Sequence, residues 1–103
     1  DTTTFIGNDG YNGGALSNLS GTMVIDASSF SINSAYLGGA VHNSFGDMEI
    51  SGSSFSSNHA TAIGGGWSNH NLGGTVTAIG VGYAANTTGG GAYLDCYDVD
   101  GPC

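Results

Sequence analysis

Several residue groups in this 103-residue chain are of types and spacings that could do chemistry. The tail LDCYDVDGPC sets Asp95, Asp98 and Asp100 ahead of Gly101, which resembles a fragment of an acidic Ca²⁺ loop: hard oxygen ligands at short spacing, with glycine for the turn. A closing bidentate Glu is missing, and an acidic cap closed by a disulfide between Cys96 and Cys103 is the competing reading. Asp47 and Glu49, two apart on a strand, share a face as a pair of glycosidase carboxylates would. Solvated exterior charges have the same pattern. Asp26 aligns with Ser51 and has no second acid beside it. His42, His59 and His70 show no HxH or HxxxH spacing and read as turn or surface histidines rather than zinc ligands. Asn18 (NLS) and Asn86 (NTT) are N-glycosylation acceptors by motif.

These groups must be positioned by a repeat. FIGN at Phe5, FSIN at Phe30, FSSN at Phe55 and YAAN at Tyr83 share an aromatic-x-x-Asn form, and each is followed by a glycine pair, in GGAL, GGAV, GGGW and GGAY. Apolar residues alternate ahead of the last three aromatics: Met23 and Ile25, Met48 and Ile50, then Val76 and Ala78. Period-two alternation makes these segments strands, with Val24, Glu49 and Thr77 on the opposite face. A recurring unit of this length, without a helical stripe, implies one coil of a β-solenoid of about three short strands. Stacked coils lie about 4.8 Å apart. Phe5, Phe30, Phe55 and Tyr83 then form an interior column, and Asn8, Asn33, Asn58 and Asn86 bond coil to coil at one turn, where Asn tolerates a left-handed backbone. The glycine pairs supply a corner that excludes a Cβ. Trp67 aligns with Leu16, Val41 and Tyr93, either as a core column or as an outward stripe of Trp67 and Tyr93 open to a glycan or a neighbouring subunit.

Composition narrows the function. No Lys or Arg accompanies eight acids, for a formal net charge of −8. Such a chain repels nucleic acid and anionic membranes, and no apolar run is long enough for membrane insertion. The cysteine pair and the sequons point to a secreted or cell-surface setting. An opening at Asp1, without initiator Met or signal peptide, reads as a mature or trimmed piece.

The recurring FxxN and GGA[L/V/Y] signatures resemble the repeats of the polymorphic outer-membrane protein family and, more broadly, the right-handed parallel β-helix proteins of the pectin-lyase-like class. That resemblance spans roughly residues 2–94. It implies an all-β, right-handed β-helix of about four coils, surface-exposed or secreted, often adhesive or structural. The right-handed crossover rule agrees on the hand. Enzymatic relatives in this class use a basic residue for proton abstraction, which a chain without Lys or Arg lacks, so no catalytic role is expected. The expected organisation is a solenoid over 1–94 and an acidic loop over 95–103. No capping helix is apparent, so coil edges remain available for head-to-tail stacking of copies into a fibre, or the chain is a segment of a longer solenoid. An adhesin or glycan-binding surface is the alternative function.

Overall fold

The computed structural model describes residues 3–69 and 74–98. It is a parallel β-solenoid of four coils. The first coil contributes β1 (Thr4–Ile6) and β2 (Leu16–Leu19). The second has β3 (Thr22–Asp26), β4 (Ser29–Ser31), β5 (Ser34–Leu37) and β6 (Val41–Ser44). The third repeats it as β7 (Asp47–Ser51), β8 (Ser54–Ser56), β9 (His59–Ile63) and β10 (Trp67–Asn69). The fourth has β11 (Thr75–Ile79), β12 (Gly82–Ala84), β13 (Thr87–Thr88) and β14 (Cys96–Asp98). Like strands pair in parallel, giving the sheets β1-β4-β8-β12, β14-β10-β6-β2, β11-β7-β3 and β13-β9-β5.

A full coil therefore has four short strands rather than the three expected. Among the described residues the corners are turned by residues in the left-handed region, which stack: Ala27, Gly52 and Gly80; Gly7, Ile32, Ser57 and Ala85; Gly13, Gly38 and Gly64; Ser20 and Phe45. Ile32, at φ 57°, divides what would be one long side into β4 and β5. Such a conformation costs a non-glycine residue roughly 1–3 kcal/mol, so the surrounding contacts must fix it. It lies one residue ahead of the asparagine, at Ile32, Ser57 and Ala85, and not at the asparagine itself.

The aromatic column forms as expected. Phe5 stacks on Phe30 at 4.8 Å between ring centroids, Phe30 on Phe55 at 4.7 Å, and Phe55 on Tyr83 at 5.8 Å. Ile25, Met48, Ile50, Val41 and Trp67 complete the core, while Val24, Glu49 and Thr77 face outward. In the first three glycine pairs the first member turns the corner and the second admits the next coil. A Cβ on Gly39 would lie 2.1 Å from the carbonyl oxygen of Gly65.

The fourth corner departs from the motif. Trp67 pairs with Cys96, so Tyr93, at φ 53°, and Leu94 stand over Gly64 and Gly65. Gly90 and Gly91 fall short of the corner, and Tyr93 is displaced from the Trp67 column to the exterior. Since β14 pairs with β10, the solenoid continues through Asp98, past the boundary expected at residue 94.

Candidate functional site

The chemistry of this chain is concentrated in two asparagine columns and in how each ends. In the first, Asn33 uses its whole hydrogen-bonding capacity. Its Oδ1 accepts from the backbone N–H and the Nδ2 of Asn8, both at 2.9 Å. Its Nδ2 donates to the Phe5 carbonyl and to Asn58 Oδ1, each at 3.0 Å. Asn58 repeats the pattern, taking the backbone and side-chain N–H of Asn33 and donating to the Phe30 carbonyl and to Asn86 Oδ1. The aromatic-x-x-Asn spacing thus has a physical cause: the carbonyls of Phe5, Phe30 and Phe55 each receive the amide of the asparagine one coil later. Asn33, Asn58 and Asn86 are buried, and every buried side-chain polar atom among the described residues is satisfied.

A second column lies one strand away, where sequence reading did not place one. Asn18 Nδ2 donates to Asn43 Oδ1 at 2.8 Å, and Asn43 Nδ2 donates to Asn69 Oδ1 at 3.0 Å. Asn18 and Asn43 also close their own corners, onto the Gly21 and Gly46 carbonyls. The available signal was an Asn two residues after each of Leu16, Val41 and Trp67.

Both columns donate in the same direction, and both end on a carboxylate. Asn86 Nδ2 reaches Asp95 Oδ1 at 3.2 Å, and Asn69 Nδ2 reaches Asp98 Oδ1 at 2.9 Å. An ionised carboxylate accepts but has no proton to pass on, so the relay stops there. At the other end, no described group donates to Asn8 Oδ1 or Asn18 Oδ1. Asp95 and Asp98, expected with Asp100 as a Ca²⁺ set, serve separate columns, and no cluster of three candidate ligands occurs among the described residues. Asp100, Cys103 and His70 lie outside the described residues, and with Cys103 so does the expected disulfide to the buried Cys96.

The other candidate residues stay apart. His42 is buried with Nδ1 2.7 Å from Ser68 Oγ, while His59 is exposed on another sheet against Thr87 Oγ1. Asp47 and Glu49 do share a face, lining a shallow groove of about 290 Å³ with Thr22, Val24, Thr75 and Thr77. Thr75 Oγ1 donates to Asp47 there, and Ser51 Oγ donates to Asp26. Trp67 is 1% exposed and Tyr93 57%, so the two form no shared stripe: Trp67 is core, held over Val41 by strand pairing. The exposed aromatic pair is instead Tyr11 on Tyr36, stacked at 5.1 Å.

Trp67 Nε1 donates to the Tyr83 hydroxyl at 2.7 Å. Tyr83→Phe leaves that buried N–H without an acceptor and should cost about 1–2 kcal/mol in urea unfolding. Burial, reinforced by the Asp95 charge and partly opposed by the Trp67 hydrogen bond, raises the Tyr83 pKa above its ordinary 10.0. The folded chain then holds this proton more tightly than the unfolded one. Its contribution is intact below pH 10 and is lost as pH rises through the raised value. Tyr83→Phe should therefore flatten the alkaline fall in melting temperature above pH 10.

The sequon asparagines are both structural. Asn18 and Asn86 are 7% and 3% exposed, and the Nδ2 that would carry a sugar is committed in each to neighbouring oxygens. The glycosylation expected from the motif is thus incompatible with either column. When the chain is secreted from a glycosylating cell, intact-mass spectrometry of the folded fraction should show both asparagines unmodified; a folded, glycosylated species would contradict the columns as described.

Comparison with protein-family models, curated proteins and solved structures found no match.

Proposed function

We propose that the chain is a structural β-solenoid module of an extracellular surface fibre, joined to that fibre end-on by stacking of coils. The observation that carries this reading is the contrast between the first and last described coils. Among the described residues, the Phe5 ring stacks on Phe30 alone, Leu16 and Met23 are half-buried, and no group donates to Asn8 Oδ1 or Asn18 Oδ1. At the last coil both columns end on carboxylates. The repeated FxxN and glycine-pair signatures, similar to those of polymorphic outer-membrane proteins, support a place at the cell surface. So does a net charge of −8, which opposes binding to nucleic acid and anionic lipid.

Immunogold electron microscopy of producing cells tests this reading. Label should lie along surface fibres and be released into the medium by Phe5→Arg, which puts a charge on the joining end. Label confined to the cytoplasm would overturn it.

A glycan-binding role is favoured by a different observation, the exposed Tyr11–Tyr36 stack on the face that also carries Asp9, Ser34 and His59. Glycan-array binding abolished by Tyr36→Ala would establish it.

A further inference from the structure

We infer that the third coil carries a sugar subsite, a ledge beside Tyr36 that takes one pyranose residue of a neutral glycan. The inference rests on the glycan-binding reading of the Tyr11–Tyr36 stack and adds where on that face the ligand sits and which sugars fit it.

On the outer face of the sheet β13-β9-β5 the tyrosine column stops after two coils. The rings of Tyr11 and Tyr36 lie 10° from parallel with centroids 5.1 Å apart, close to the spacing of stacked coils, so both ring planes stand across the solenoid axis. One face of Tyr36 is therefore covered by Tyr11, and the other looks along the axis over the third coil. There the register shifts. Ala35 pairs with Ala60 and Leu37 with Ile63, so a β-bulge sets two small residues, Thr61 and Ala62, opposite the one tyrosine. One coil further on stands Gly89, where a Cβ would meet the Thr61 carbonyl oxygen at 2.5 Å. The backbone thus bars a side chain at that rung, and Tyr36 stays 43% exposed.

The ledge so formed has an aromatic wall and a polar floor. Thr61 is exposed, and its hydroxyl has no hydrogen-bond partner among the described residues. His59 lies on the same face, about 7 Å away along the strand. Its Nδ1 is 2.7 Å from Thr87 Oγ1, leaving Nε2 without a partner among the described residues. A ligand seated here needs a flat apolar face for the Tyr36 ring and polar groups at its edge for Thr61 and His59. A wholly aromatic ring would strip water from both and return no hydrogen bond. A pyranose has the required build, with C–H bonds across its face and hydroxyls around its rim. Charge selects further: with no Lys or Arg and a net charge of −8, the chain repels uronate and sulfated sugars and has no cation to hold them.

The full chain, ¹⁵N-labelled, is titrated with neutral hexasaccharides of glucose, mannose, galactose or N-acetylglucosamine, and with hexagalacturonate. At least one neutral probe should bind with a dissociation constant of about 1 mM, the strength of one stacked face and a few hydrogen bonds. It should move the amide signals of Thr61, Ala62 and Gly89 and leave those of Val24 and Glu49, on the sheet β11-β7-β3, in place. Hexagalacturonate should bind at least about tenfold more weakly. Thr61→Val removes the hydroxyl and should weaken binding about threefold to tenfold. Thr61→Tyr extends the tyrosine column into the ledge and should abolish binding while the urea midpoint is kept.

If Tyr36→Ala abolishes binding of a neutral probe and Thr61→Tyr does not, the sugar lies elsewhere on the stack: the ledge fails and the glycan-binding reading survives. Equal affinity for hexagalacturonate would overturn the selectivity and the inference with it. If no hexasaccharide binds, both the inference and the glycan-binding reading fail.

Discussion

Asn58→Ala should destabilise the protein by about 3–6 kcal/mol, a large part of what a domain of this size has in total. The magnitude follows from the number of partners stranded. Asn58 is fully buried, and its removal leaves the Asn33 backbone N–H and one Asn33 side-chain N–H without their acceptor and the Phe30 carbonyl without its side-chain donor, while Asn86 Oδ1 keeps only the backbone N–H of residue 58. Each stranded buried group costs about 1–3 kcal/mol, less what water entering the cavity recovers. Asn8→Ala is the internal control. Asn8 is exposed and its side chain makes one donation to Asn33 Oδ1, which the backbone N–H of residue 8 continues to serve, so its loss should cost about 1 kcal/mol or less. Urea unfolding followed by circular dichroism separates the two, and equal losses would mean that the column carries no special burden at its centre.

The second large effect concerns backbone approach. Gly39→Ala places a methyl group 2.1 Å from the Gly65 carbonyl oxygen and 2.7 Å from that of His59. Both are backbone atoms of the next coil, fixed by their own ladder bonds, so no side-chain rotation relieves the clash. The coils must separate locally, and a loss of about 3 kcal/mol or more is expected. Gly82→Ala is the contrasting case, since nothing lies within 4 Å of its added Cβ. The change also narrows the unfolded ensemble and should gain about 0.4–1 kcal/mol. A Gly39→Ala protein as stable as the Gly82→Ala protein would mean that the coils are not in contact at this corner.

What could be read from the sequence was whatever repeats in kind. Phe5, Phe30 and Phe55 keep one residue type at a constant step, so their superposition and that of the asparagines three residues on were legible. The second column was not, because its last rung changes type, to Asp98, and because Asn18 presents itself as a sequon. The fourth coil misled for a related reason. Gly90–Gly91 reproduces the corner motif ahead of the true corner, which Tyr93 turns without a glycine, and only strand pairing shows that Cys96 follows Trp67. The number of sides was hidden because Ala27, Ile32 and Ser57 take the left-handed conformation that a sequence reader assigns to glycine. The ends carried no repeat signal at all. Asp95 and Asp98 read as members of a metal loop by their spacing, and that spacing gives no sign that each carboxylate ends a different column.

The claim on which all of this depends is that successive coils superimpose with asparagine amides relayed from one to the next. Trans-hydrogen-bond scalar couplings measure that relay directly, in ¹⁵N,¹³C-labelled protein. Couplings from the Asn33 backbone N–H to the Asn58 side-chain carbonyl carbon, and from the Asn58 N–H to that of Asn86, are expected, with slow exchange of both amides. Absent couplings, with both amides exchanging at the rate of free peptide, would contradict the stacked coils and everything built on them.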